Sequence, residues 1–195
     1  MKKKMQKMII PAVMVTLYLT MFGCSTTPKT QSAKDAQRDS IRAMTQQTLA
    51  GFYKNEPAAK GAVAGAAGYA VFSDFGFKVM FMGGAHGKGM AVGNAAKQET
   101  FMKMTELQPG LGVGAEKFRL VLIFENPEAY NKLVTSGWEF GVNAMAAAKS
   151  GSEGGAAAGA VSFTEGVKMY QISETGAIVG VSITGAKYYK DKDLN

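Results

Sequence analysis

Leu120-Val121-Leu122-Ile123-Phe124-Glu125-Asn126-Pro127-Glu128 is the stretch that decides how this 195-residue chain folds. Five large apolar residues follow one another with no polar alternation, which describes a strand buried on both faces. The run stops at a helix start. Asn126 offers an N-cap side chain, Pro127 suits the first helical position, and Glu128 complements the positive helix end. The helix is expected to reach about Thr135, with Ala129, Tyr130, Leu133 and Val134 turned inward and Gly137 as its C-terminal cap. A covered strand followed at once by a capped amphipathic helix implies a sheet with helices packed on it.

Downstream, Trp138, Phe140 and Val142 alternate with polar or Gly positions, a strand period. A Gly/Ser turn covers residues 149–155. Residues 156–163, 167–173 and 177–184 read as three strands, and the links Thr164-Glu165-Gly166 and Glu174-Thr175-Gly176 are short enough to demand antiparallel hairpins. Residues 188–195 read as a charged tail. Upstream, short β runs occupy residues 68–72, 77–82, 90–92, 101–107 and 111–113, and Gly83-Gly84-Ala85-His86-Gly87-Lys88-Gly89 reads as a turn between two of them. The chain holds 24 Gly. Gly110, Gly112 and Gly114 share one face opposite Leu111 and Val113. Gly180, Ser182 and Thr184 share another, opposite Val179, Val181 and Ile183. Small faces let a sheet curve tightly or accept a helix at close range. The fold class is therefore α+β: a curved, mostly antiparallel, barrel-like Gly-rich sheet with an N-terminal helix and a second helix packed on it.

That N-terminal helix is expected over residues 34–55. Ile41, Met44, Thr48, Leu49, Phe52 and Tyr53 fall on one stripe, with Arg38, Arg42, Gln46 and Lys54 elsewhere, and Pro57 ends it. The stripe suits either packing on the core or lying on a membrane. A smaller helix is expected over residues 58–67.

Before it comes a different kind of segment. Lys2, Lys3, Lys4 and Lys7 precede a 15-residue apolar run, residues 8–22, interrupted by Pro11 and two Thr. About 20 residues are needed to span a bilayer, so the run is short for a membrane helix and right for a signal peptide. Gly23 then precedes Cys24, the only cysteine. The pattern resembles a bacterial lipoprotein signal, with Met21 where Leu is usual. It implies removal of residues 1–23, acylation of Cys24, and a flexible tether over residues 24–33. Ser25 fits outer-membrane sorting, so the expected location is the cell envelope, at the periplasmic face of the outer membrane in a Gram-negative cell. An ordinary secretory signal or an uncleaved anchor are the other readings. Residues 34–195 form the domain.

The net charge of +7 shrinks once the signal is set aside. Without its four lysines, 18 basic residues face 15 acidic ones, a mild excess that gives nucleic-acid binding no support. No catalytic motif emerges. The Gly-rich stretch at residues 83–89 lacks the spacing of a phosphate loop, and Gly110 to Gly114 lacks the third glycine of a dinucleotide fingerprint. A lone histidine, His86, makes no multi-histidine metal site, and as a general base it would need a nucleophile beside it. Asp74, Glu106, Glu125, Glu139, Glu153 and Glu165 show no pairing. The eight Met beyond Cys24 suit core packing. No cofactor, metal or enzymatic activity is called for. Lys78, Lys88, Lys97, Lys103, Lys117 and Arg119 form a basic patch only if their side chains share a face.

Taken in order, Gly68-Tyr69-Ala70-Val71-Phe72, the Gly-Gly-x-x-Gly-x-Gly stretch at 83–89, Gly110-Leu111-Gly112-Val113-Gly114, residues 120–124 with their Asn-Pro-Glu helix start, and Gly180-Val181-Ser182 with Gly185 resemble the SYLF (Ysc84-type) domain over residues 34–191. The resemblance implies a lipid-binding domain. Eukaryotic members bind acidic membrane lipids, in part through an N-terminal amphipathic helix, and bacterial lipoproteins of this type are known as probable phospholipid binders. The implied partner is a phospholipid headgroup or acidic membrane surface, with Arg38, Arg42 and Lys54 on the first helix and Lys88 in the Gly-rich stretch as contacts. Actin binding, known for some yeast members, is not carried to a chain with a lipoprotein signal. The alternative is a structural or protein-interaction lipoprotein with no lipid ligand of its own.

Overall fold

The computed structural model describes residues 30–80, 82–107, 112–140, 160–164, 166–174 and 185–195. Cys24, the signal segment and the expected strand at residues 177–184 lie outside this set. Among the described residues the elements are α1 (Gln31–Asn55), α2 (Ala58–Gly65), β1 (Gly68–Met80), β2 (Met82–Gly93), β3 (Gln98–Leu107), β4 (Gly112–Phe124), α3 (Pro127–Ser136), β5 (Trp138–Phe140), β6 (Ala160–Thr164), β7 (Val167–Ile172) and β8 (Gly185–Lys190). The expected α+β class is what forms: one curled antiparallel sheet, ordered β5-β8-β3-β2-β1-β4-β7-β6, with helices on it.

Alternation along the strands sorts the sheet into two faces. On one, Phe72 of β1, Met102 and Met104 of β3 and Phe118, Leu120 and Leu122 of β4 form a core with Tyr130 and Leu133 of α3. On the other, Val71, Val121 and Ile123 meet Leu49 and Phe52 of α1 and Val63 of α2. Ile41, nearer the start of α1, packs with Met90, Val92 and Phe101. Residues 120–124 are accordingly buried on both sides, none more than 1% exposed.

The start of α3 follows its sequence closely. Asn126 Oδ1 accepts the Ala129 N–H at 2.8 Å, and Pro127 opens the helix. Gly137 closes it at φ 75°, donating its N–H to Leu133 O, a left-handed conformation that suits glycine. Gly166, at φ 74°, turns the β6–β7 hairpin, which is antiparallel as the short link requires.

Four expectations need correction. The Gly-rich stretch at residues 83–89 is no turn. It lies inside β2, paired to β1 on one side and β3 on the other. Its glycines sit under large neighbours: a Cβ on Gly89 would strike Val71 O and the Phe72 ring, and one on Gly87 would strike Met104. Turn-like composition here marks crowding across strands, not a reversal of the chain. Residues 68–72 and 77–82 are likewise not two strands, since β1 runs unbroken from Gly68 to Met80. The charged tail is half strand. In β8, Ala186 and Tyr188 point into the core while Lys187 and Tyr189 point out, a period of two hidden among charges. The chain then turns back so that Leu194 is buried, and the Asn195 side chain bonds both the N–H and the C=O of Phe101. Lastly, α1 begins at Gln31, so residues 31–33 of the expected tether are helical.

Residues 31–195 form a compact unit by themselves with their own apolar cores, the mark of an independent folding unit. The α1 stripe belongs to that core: Phe52 is fully buried, with its ring 4.8 Å from that of Tyr170. Phe52→Ala is expected to cost about 3–5 kcal/mol of stability. Thermal or urea unfolding of residues 31–195 checks it. An unchanged midpoint would mean that α1 is not docked.

Candidate functional site

The four cations singled out in the sequence do not come together. Arg38 and Arg42 sit in the first half of α1, and both are already engaged. Arg38 pairs with Asp35 at 2.6 Å and donates to Leu194 O at 2.7 Å. Arg42 is 2.8 Å from both Asp39 and Glu99, and its guanidinium lies 5.3 Å from the centre of the Phe101 ring. The hydrogen bond it donates to Glu99 is the main reason that its pKa is raised. The groove around them holds Asp35, Asp39 and Glu99 as well as Arg38, Arg42 and Lys190, so its charges balance. These arginines fasten α1 to β3 and to the C-terminal turn. Lys54, at the other end of α1, is exposed and pairs with no described residue. Lys88 is exposed on β2, in the strand that was expected to be a turn. His86 is exposed on the same strand.

The sheet register shows what sequence spacing could not. Beyond the edge of α1, on the same face, two rows of side chains run across five strands. One row is Lys117 (β4), Phe75 (β1), His86 (β2), Thr105 (β3) and Lys187 (β8). The other is Arg119, Ser73, Lys88, Lys103 and Tyr189 on the same strands. At ordinary strand spacing the rows are ~19 Å wide and ~7 Å apart. Lys88, Lys103, Lys117 and Arg119 of the suspected basic patch therefore do share a face. Lys97 does not join them, because it sits in the β2–β3 turn beside Asn94. The Lys78 side chain lies outside the described set. Phe75, Leu107 and Tyr189 are the exposed large apolar residues of the described chain, at 50%, 62% and 38%, and all three belong to this end of the sheet. Some of the cations have partners: Lys103 has Asp191 at 2.8 Å and Asp193 at 3.3 Å, and Lys187 has Glu139 at 2.9 Å. Lys117, beside Phe75, has none among the described residues.

On the opposite face the same strands hold a carboxyl pair that the sequence did not reveal. Asp74 and Glu106 are each 1% exposed and close enough to influence one another, with the fully buried Tyr188 near both, and neither oxygen of the Asp74 carboxyl has a hydrogen-bond partner among the described residues. They lie on β1 and β3, and the intervening β2 offers only Ala85 and Gly87 at those positions, too small to separate them. Burial is the main cause that raises the Asp74 pKa above its ordinary value near 3.8. Burial, then Glu106 and Asp74, pushes the Tyr188 hydroxyl well up. Burial of this kind favours the protonated, neutral form of Asp74. Alternation placed both inward, beside Phe72 and Met104, but their adjacency depends on register across a third strand. Neither groove described on this protein reaches them.

The fold and the site define a class: a curled antiparallel sheet with helices packed on it, and a sheet face on which Phe75, Tyr189 and several cations are exposed. Residues 105–195 match the Ysc84 family, described as Las17-binding protein actin regulator. The resemblance to the SYLF-type domain is thus shown over this stretch. It is also 34% identical over 173 residues to Beta cell expansion factor A of Aeromonas veronii, a match that covers 86% of this chain and 61% of that relative's length.

The carboxyl pair gives a pH-dependent prediction. Below the unfolded-state value near 3.8 both folded and unfolded chains hold the Asp74 proton, so the pair carries no ionic penalty. As pH rises the unfolded chain ionises first, and stability falls until the folded pair itself ionises. Asp74→Asn removes that loss. Its melting temperature should differ little from the parent near pH 4 and exceed it increasingly toward neutral pH. A difference independent of pH would show that the pair is not held protonated.

Proposed function

We propose that this protein is a lipid-anchored envelope protein whose domain binds the anionic surface of a phospholipid bilayer without catalysing a reaction. Cys24 is the acylated anchor, and the sheet face around Phe75 is the contact. The observation that carries the reading is the grouping of half-exposed Phe75 with Lys117, His86 and Lys88 on one uncovered face. A cation near a negatively charged membrane contributes ~1 kcal/mol, and an aromatic ring moved into the apolar boundary adds ~2 kcal/mol. Several such groups on one plane are enough for reversible association. The family supports lipid as ligand, but this placement differs from the amphipathic-helix mode of its eukaryotic members. Here Ile41 and Phe52 of the α1 stripe are inside the fold, and Arg38 and Arg42 are neutralised by neighbours. The burial of α1 also suits the second reading, a structural lipoprotein without a lipid ligand, and the open sheet face favours the first.

Residues 31–195 should float with vesicles of equal phosphatidylglycerol and phosphatidylcholine, and much less with phosphatidylcholine alone. High salt should release them. Reversing Lys88 and Lys117 together to Glu should weaken binding by at least about tenfold, and Phe75→Ala should weaken it without changing the salt dependence. Failure to float with any lipid composition would sink the membrane reading.

A further inference from the structure

Next to the open sheet face lies a cleft of about 340 Å³, bounded by the second half of α1, by β4 and by the end of β7. Its walls include Thr48, Gly51, Lys54, Arg119, Ser173 and Glu174. Two cations line it from different elements, and among the described residues neither is fully matched. One Nη of Arg119 donates to Ser73 Oγ at 2.6 Å. The other is 3.7 Å from Glu174 Oε1, close enough to attract and too far for a hydrogen bond. The Arg119 side chain is only 18% exposed, so a half-used guanidinium fork is costly where it stands. Glu174, at 54%, is free to swing away. Lys54 has no ionic partner among the described residues. Gly51 lines the same cleft without a side chain of its own.

We propose that this cleft receives a phosphate group, held between Lys54 and Arg119, and that Glu174 is the carboxylate it displaces. The proposal rests on the membrane-surface reading for the source of the phosphate, an anionic phospholipid headgroup. Arg119 stands in the same cross-strand row as Ser73 and Lys88, so a bilayer resting on the open face presents headgroups at the mouth of the cleft. A phosphate offers the paired oxygens that a guanidinium fork fits, with charge left for the lysine. Glu174 acts as an internal competitor. It occupies the anion's side of Arg119 and gives way to a better-matched ligand.

The test uses residues 31–195 and two probes, sn-glycerol 3-phosphate followed by amide shifts, and vesicles of equal phosphatidylglycerol and phosphatidylcholine followed by flotation. Lys54→Gln and Glu174→Gln alter exposed side chains and leave the cores untouched. Lys54→Gln should weaken binding about tenfold, the worth of one charge-assisted hydrogen bond. Glu174→Gln should tighten it. Glycerol phosphate should shift Gly51, Lys54, Arg119 and Glu174. That order with vesicles assigns the phosphate to lipid. The same order with glycerol phosphate alone keeps the cleft as a phosphate-ester site and removes its membrane source. Variants indistinguishable from the parent with both probes overturn the proposal. If Lys117→Glu still weakens vesicle binding in that case, the open face stands and the cleft falls.

Discussion

The two-residue period of β1 is the constraint from which the rest of the structure follows. Its thirteen residues are paired along their length to β4 and, over nearly all of it, to β2, so neither register can slip without moving every side chain to the wrong face. One residue step separates three environments. Phe72 enters the core under α3, Val71 meets α1, and two positions on, Asp74 is buried while Phe75 stands half exposed. The buried carboxyls and the basic face are two sides of the same strands. A change that alters the twist of β1 at Asp74 is therefore felt at Phe75.

The cations of the protein divide by position along α1. Where the helix crosses β3, carboxylates accompany every arginine, and the charges bind protein to protein. Such exposed pairs contribute little stability individually, but Arg42 adds a stacked aromatic contact and Arg38 a bond to the C-terminal turn, so together they fix how the helix sits. Where the sheet continues past the helix edge, Lys88, Lys117 and Arg119 stand together on one face with the half-exposed Phe75. A mildly basic chain can thus carry a locally basic surface. Net charge alone hides this, because it averages a balanced groove with an unbalanced face.

The sequence was most legible where local chemistry acts alone. Asn126-Pro127-Glu128 stated its helix, Gly137 its end, and residues 120–124 their double burial. It was least legible where glycine serves a neighbour instead of its own backbone. Gly87 and Gly89 read as a turn because composition cannot distinguish a residue that bends from one that makes room for Met104 or Phe72. Tyr188 was taken for tail because its flanking charges mask an alternation only three pairs long. Asp74 and Glu106 showed no pairing in sequence, because their approach requires the order β1-β2-β3 and two small residues between them. The lysines of the open face posed the same problem: their common side was a question of register.

The burial of α1 bears on how a domain of this kind could use a membrane. If the helix left the sheet to lie on lipid, Val71, Val121 and Ile123 would lose their cover and Phe52 its pocket. The lipid would have to compensate for that core, several kcal/mol for Phe52 alone, before any net affinity remained. A sheet face that is open already carries no such cost. With an acyl anchor at Cys24 the bilayer would always be near, and even weak contacts at that face would be occupied through high local concentration. Affinity in the domain would then set orientation rather than location: which face of the sheet lies against the headgroups, and whether the cleft beside it is filled.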